Sequence, residues 1–88
     1  MLPADPILRG RVLRAARTLV DWSQARLACE ACISRATVNA VETGRMSREC
    51  PACLAMVGAL ECAGVQFIPP IGHLGPGVRF TLPDGLRR

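Results

Sequence analysis

The stretch "SQARLACEACISRATVNAVETG", residues 23–44, restricts this chain more than any other, because it offers two helix starts in quick succession. Ser23 and Ser34 are each placed to accept a hydrogen bond from a free backbone N–H of the helix that follows. Leu27, Ala28 and Ala31 then share one face of "QARLACEA". Val38 and Val41 point inward from "RATVNAVE", leaving Arg35, Ala36, Asn39 and Ala40 outward until Gly44 stops the helix. Two short helices joined by a tight turn, the second exposing small, polar and basic residues, have the form of a helix-turn-helix.

The flanking segments supply what such a pair must pack against. In "DPILRGRVLRAARTLV", Asp5 is a candidate N-cap and Pro6 a first helical residue, and Leu8, Val12, Ala15, Ala16 and Leu19 follow at helical spacing, predicting a helix over about 6–20. After the loop "RMSREC", Pro51 opens a fourth helix, on which Leu54, Val57 and Leu60 recur until Gly64. Beyond it, "VQFIP" and "GVRFTL" are rich in β-formers and flank the Pro/Gly-rich "PIGHLGPG", which predicts two short strands. The expected fold is mainly α: a four-helix domain over residues 1–64, with a C-terminal extension over 65–88 that carries the strands and serves dimerisation. The last residues, "PDGLRR", read as a frayed end.

Eighty-eight residues are enough for one domain whose core is marginal unless well packed or supported by a partner or metal. Trp22, Phe67 and Phe80 are the aromatic residues, so aliphatic side chains on helices must do most of the packing. The net charge is +4 and every basic residue is Arg, a planar fork suited to phosphate and to base edges. That favours an anionic partner without identifying one. The N-terminus has no basic region followed by an apolar run, and no run is long enough to span a bilayer, so a cytoplasmic chain without a membrane partner is expected.

From Gln24 to Glu42 the sequence resembles the helix-turn-helix of the phage Cro/repressor type found in XRE-like bacterial regulators. Leu27, Ile33, Val38 and Val41 stand where that pattern is apolar, and Ala28 and Ala31 where it has Ala. The likeness extends over about residues 12–68, through "LRAARTLVDWSQ", "SRATVNAVETGR" and "LECAGVQF". It implies a dimeric regulator of transcription that reads double-stranded DNA sequence-specifically, with helix 34–42 in the major groove. The matching base-contact positions are Arg35, Ala36, Asn39 and Ala40. Arg35 suits guanine O6 and N7, Asn39 adenine or a phosphate, and Ala36 a thymine methyl. Ser23, Gln24, Thr37 and Arg45 match phosphate contacts, and Arg17 and Glu42 match a buried structural ion pair. Arg9, Arg11, Arg14, Arg26 and Arg48 read instead as solvated surface. The family usually has Gly in the turn, where this chain has Cys32. A non-Gly residue there costs on the order of 1 kcal/mol if φ is positive.

Five cysteines is an odd number, so reduced thiols or metal ligation are the options rather than a disulfide framework. Cys29, Cys32, Cys50 and Cys53 form two C-x-x-C pairs at a spacing that fits a four-thiolate zinc module. Against it, Cys29 falls inside the second helix, Cys53 inside the fourth, and the whole recognition helix lies between the pairs. The expectation is no metal and no cofactor, with Cys53 and Cys62 as small core hydrophobes. The zinc module is retained as an alternative, as is redox sensing through Cys29 or Cys32. No catalytic set is visible: His73 is the one histidine and sits in the Pro/Gly-rich loop. The other alternative is an interaction module of the antitoxin type, with a toxin or other protein as partner and an exposed strand edge as the contact surface.

Overall fold

The computed structural model describes residues 2–46 and 50–81, so the expectations for Arg48 and for the end of the chain lie outside the described residues. Four helices, α1 (Pro6–Leu19), α2 (Gln24–Ala31), α3 (Arg35–Glu42) and α4 (Pro51–Cys62), precede two strands, β1 (Val65–Ile68) and β2 (Gly77–Phe80). The helix starts follow the caps. Asp5 accepts from the N–H of Ile7, Ser23 from Arg26 and Ser34 from Thr37, and Pro6 and Pro51 occupy first-turn positions that need no N–H.

Three helix ends close in one way. The N–H of Asp21, Cys32 and Gly44 donates to the carbonyl three residues back (Thr18, Cys29 and Val41), and the next N–H donates five back, to Arg17, Ala28 and Ala40. This double closure requires a left-handed residue, and φ is 59° at Asp21, 59° at Cys32 and 79° at Gly44.

The core joins all four helices: Val12, Leu13 and Ala16 from α1, Leu27 and Ala28 from α2, Val38 and Val41 from α3, and Cys53, Met56, Val57 and Leu60 from α4. Val65 and Phe67 of β1 belong to the same cluster. The division at residue 64 therefore separates stretches of chain and not cores. β1 and β2 pair antiparallel in the register Val65↔Phe80 and Phe67↔Val78, and Thr81 adds a hydrogen bond back to the Gly64 carbonyl.

Several inward positions differ from the sequence expectation. On α4 the buried face is Cys53, Met56, Val57 and Leu60, spaced at three and four residues, whereas Leu54 is exposed. The helix is apolar almost all round, so packing rather than pattern chose its buried side. Cys62, expected in the core, is exposed on the last turn. On α1, Leu8 and Ala15 face outward, and Leu13 and Arg9 are buried instead.

Arg9, read from sequence as solvated, is only 2% exposed. Its Nη1 donates to the carbonyls of Pro3 and Ala4, and its Nη2 to that of Met46 at 2.8 Å. These acceptors come from the segment before α1 and the segment after α3, which explains why α1's own pattern gave no sign of the burial. Among the described residues no buried side-chain nitrogen or oxygen lacks a partner.

Candidate nucleic-acid interface

The turn between α2 and α3 is three residues long: Cys32 in the left-handed region, Ile33 packed against the core, and Ser34 as the cap of α3. Burial of Leu27 and Ala28 on one helix and of Val38 and Val41 on the other fixes their crossing. The opposite face of α3 is thereby turned outward. Arg35 and Ala36 on it are exposed, and Asn39 and Ala40 are half-buried.

Behind this face lies a polar network. Arg17 on α1 grips Glu42 on α3 with two hydrogen bonds, Nε to Oε2 at 2.7 Å and Nη2 to Oε1 at 3.1 Å. The side chains are 16% and 2% exposed, so the pair is largely out of water. The remaining Nη1 of Arg17 donates to the Trp22 carbonyl, which ties the pair to the closure of α1. Gln24, the first residue of α2, sends its Nε2 to Glu42 Oε1 at 3.0 Å and to Asn39 Oδ1 at 3.3 Å. Three helices thus converge on one carboxylate, and the network passes from there to Asn39 on the outward face.

These bonds define what each side chain can still offer. Gln24 has both amide hydrogens turned inward, leaving its Oε1 and the N-terminal N–H groups of α2 at the surface. Asn39 accepts from Gln24 through Oδ1, so its Nδ2 is free to donate. Ser23 Oγ accepts from the Arg26 N–H, and Ser34 Oγ both accepts from the Thr37 N–H and shares a proton with Thr37 Oγ1 at 2.7 Å. Arg45 is exposed immediately beyond the α3 closure, where its own N–H is anchored to the Ala40 carbonyl. Arg35, Asn39, Arg45 and the start of α2 are consequently all carried on elements held by one core.

Arg11, Arg14 and Arg26 are also exposed. Arg26 bonds Glu30 one turn on and lies 4.8 Å from the centre of the Trp22 ring, contacts that hold it against its own helix.

The cysteines do not assemble as the zinc alternative requires. Cys29 and Cys32 are exposed at the end of α2, while Cys50 and Cys53 sit at the start of α4, Cys53 within the core. Among the described residues no group of three or more His, Cys, Asp or Glu side chains is placed to hold a metal ion. Nor is any described helix long and apolar enough to cross a membrane.

The network around Glu42 went unseen from the sequence apart from the Arg17 pairing that the family resemblance implied. Gln24 and Asn39 are separated by the turn, and nothing local indicates that their amides meet. Comparison with known proteins gives a match to a family model described as helix-turn-helix, over residues 13–48. No curated protein matches the chain.

Proposed function

We propose that this chain, whose residues 13–48 match a helix-turn-helix family model, is a sequence-specific transcriptional regulator of the Cro/repressor type that reads duplex DNA with α3. The observation that carries the reading is the outward face of α3, where exposed Arg35 and Ala36 stand beside Asn39 on a helix locked from behind by the Arg17–Glu42 pair. A rigid helix presenting an Arg fork near its N-terminus suits the major groove.

The roles divide by chemistry. Arg35 donates two parallel hydrogen bonds to guanine O6 and N7. Ala36 and Ala40 give a low apolar surface for a thymine methyl. Asn39, its Oδ1 engaged by Gln24, donates from Nδ2 to a base acceptor or a phosphate. The Ser23 hydroxyl and the free N–H groups opening α2, that of Gln24 among them, meet one phosphate, Thr37 and Arg45 others. Phosphate contacts position the helix and make affinity salt-dependent, whereas the contacts of Arg35 specify sequence.

The regulator acts as a homodimer in this proposal. Among the described residues the hairpin is two-stranded and pairs with no third strand, and Ile71, Leu74 and Phe80 on it are exposed apolar residues that a second copy would cover. Enrichment of bound duplexes from a random pool, under reducing conditions and near-physiological salt, tests both parts. The expected result is a palindrome with half-sites about one helical turn apart. Arg35→Ala is expected to erase one base preference at a cost of about 1–3 kcal/mol. A pool that stays random, or an Arg35→Ala variant with unchanged preferences, would remove the assignment. Sedimentation of the protein as a monomer well above micromolar concentration, with DNA present, would remove the dimer.

A further inference from the structure

The two C-x-x-C pairs share a spacing, yet only one brings its sulfurs together. Cys50 Sγ and Cys53 Sγ are 3.8 Å apart, the sulfur–sulfur contact recorded among the described residues. Cys29 and Cys32 sit instead where α2 gives way to its left-handed turn. We propose that Cys50 and Cys53 are a redox-active dithiol that exchanges with small-molecule disulfides and closes to an intramolecular disulfide.

The local geometry divides the two thiols by role. Cys50 is the residue before α4, in an extended conformation with φ −133° and ψ 171°, and it is half-buried; Cys53 lies three residues on, inside the first turn, and is fully buried. A disulfide requires about 2.0 Å between the sulfurs, so closure moves them less than 2 Å nearer. A solution disulfide reaches Cys50 and not Cys53. Burial pushes the Cys50 thiol up, but the N–H groups of Cys53 and Ala52, the Cys53 thiol and the Arg9 charge together outweigh it and leave Cys50 below the ordinary thiol range. The N–H groups of Ala52 and Cys53 belong to the first turn of α4, so the favour belongs to the helix start, where partial positive charge collects. Cys53 is pushed up, chiefly by burial, and stays protonated until it is called on.

The exchange balances in two steps. The Cys50 thiolate attacks one sulfur of a disulfide R–S–S–R, forming a mixed disulfide and expelling R–S⁻, which takes up a proton. The Cys53 thiol then loses its proton and attacks the Cys50 sulfur, expelling the second R–S⁻. The protein dithiol gives up two electrons and two protons, and R–S–S–R becomes two R–SH. Arg9 stays fixed throughout by its three carbonyl partners, so the charge beside the reacting sulfurs does not depend on their state.

The proposal is independent of DNA binding and is tested without it. The full chain is equilibrated in glutathione buffers of graded redox ratio, acid-quenched, alkylated and mapped by mass spectrometry. The expected product is a chain lighter by two hydrogens, with the link between Cys50 and Cys53, reversed by dithiothreitol. The triple variant Cys29→Ser, Cys32→Ser, Cys62→Ser should give the same link, and Cys53→Ser should trap glutathione on Cys50. A wild-type chain that keeps both thiols at every ratio, retains glutathione on Cys50, or links Cys29, Cys32 or Cys62 instead would overturn it.

Discussion

Cys32 and Gly44 close their helices with the same pair of hydrogen bonds, and the difference between them is a Cβ at positive φ. In the left-handed region that Cβ crowds the following carbonyl oxygen. Cys32→Gly is therefore expected to stabilise the fold by about 1 kcal/mol, the relief of strain exceeding the added freedom of the unfolded chain. Thermal unfolding should rise by about 4–8 °C for a domain of this size. Cys32→Ala keeps the Cβ and should show no such gain, and an equal gain in both would refute the strain argument. Glu42 calls for the opposite change. Its carboxylate receives three hydrogen bonds, two from Arg17 and one from Gln24, in a setting where the side chain is 2% exposed. Glu42→Ala leaves the Arg17 charge without its partner at a cost of about 3–5 kcal/mol. Urea unfolding should lose that amount, and a midpoint unchanged from wild type would mean the network carries no stability.

Between helices, the decisive contact involves the smallest side chain. A Cβ built on Gly10 would stand 2.5 Å from the Val41 carbonyl oxygen and 2.6 Å from that of Glu42, so α1 and the end of α3 touch backbone to backbone. Backbone cannot swing aside as a long side chain can. Gly10→Ala gains about 1 kcal/mol of helix propensity and forces the two helices apart, an overpacking that costs about 1–3 kcal/mol. The clash decides the sign, and unfolding should show net destabilisation. Gly58, on α4, has nothing within 4 Å of its missing Cβ. Gly58→Ala should stabilise by up to about 1 kcal/mol, so the same substitution on two helices has opposite signs. Stabilisation by Gly10→Ala would show that α1 and α3 are not in backbone contact. Helix starts and stops were legible in the sequence because both act locally: a start cap accepts from an N–H two or three residues on, and the N–H of a stop residue returns to a carbonyl three residues back. That is why Asp5, Ser23, Ser34, Gly44 and Gly64 placed the elements correctly. The facing of α1 and α4 was not legible to the same degree. Arg9 is buried because carbonyls of Pro3, Ala4 and Met46 receive it, and Leu54 is exposed because an almost wholly apolar helix carries no stripe to orient it. The site shows the same limit. Exposure of Arg35 and Ala36 follows from the spacing of Val38 and Val41, whereas the meeting of Gln24, Asn39 and Glu42 depends on how three helices cross.

For the molecule as a whole, the question is whether the helices stand without the hairpin. The change of texture after Gly64 suggested an appendage, but Val65 is 2% exposed and Phe67 8%, both within the helical cluster, and Val78 of β2 packs against it. Removing a buried Val and a buried Phe forfeits about 1.5–3 kcal/mol each. It also uncovers the helical side chains they cover, and the total stability of a typical domain is about 5–15 kcal/mol. A chain ending at Gly64 should therefore lose cooperative unfolding, or retain it only at a much lower urea midpoint. Phe67→Ala in the full chain should fall between the two, with a cost of about 3–5 kcal/mol. If the shortened chain instead melted cooperatively at the full-length midpoint, the hairpin would be a separable arm whose burial adds nothing to the helices. In the proposed dimer, the present result means that strands lending their outer edge to a second copy also hold, through Val65 and Phe67, the core on which α3 is mounted. Loss of the hairpin would then abolish both pairing and the fold of each reading head, whereas a substitution at an exposed apolar residue of its connecting turn, such as Leu74→Ser, should weaken pairing and leave the melting of the single chain unchanged.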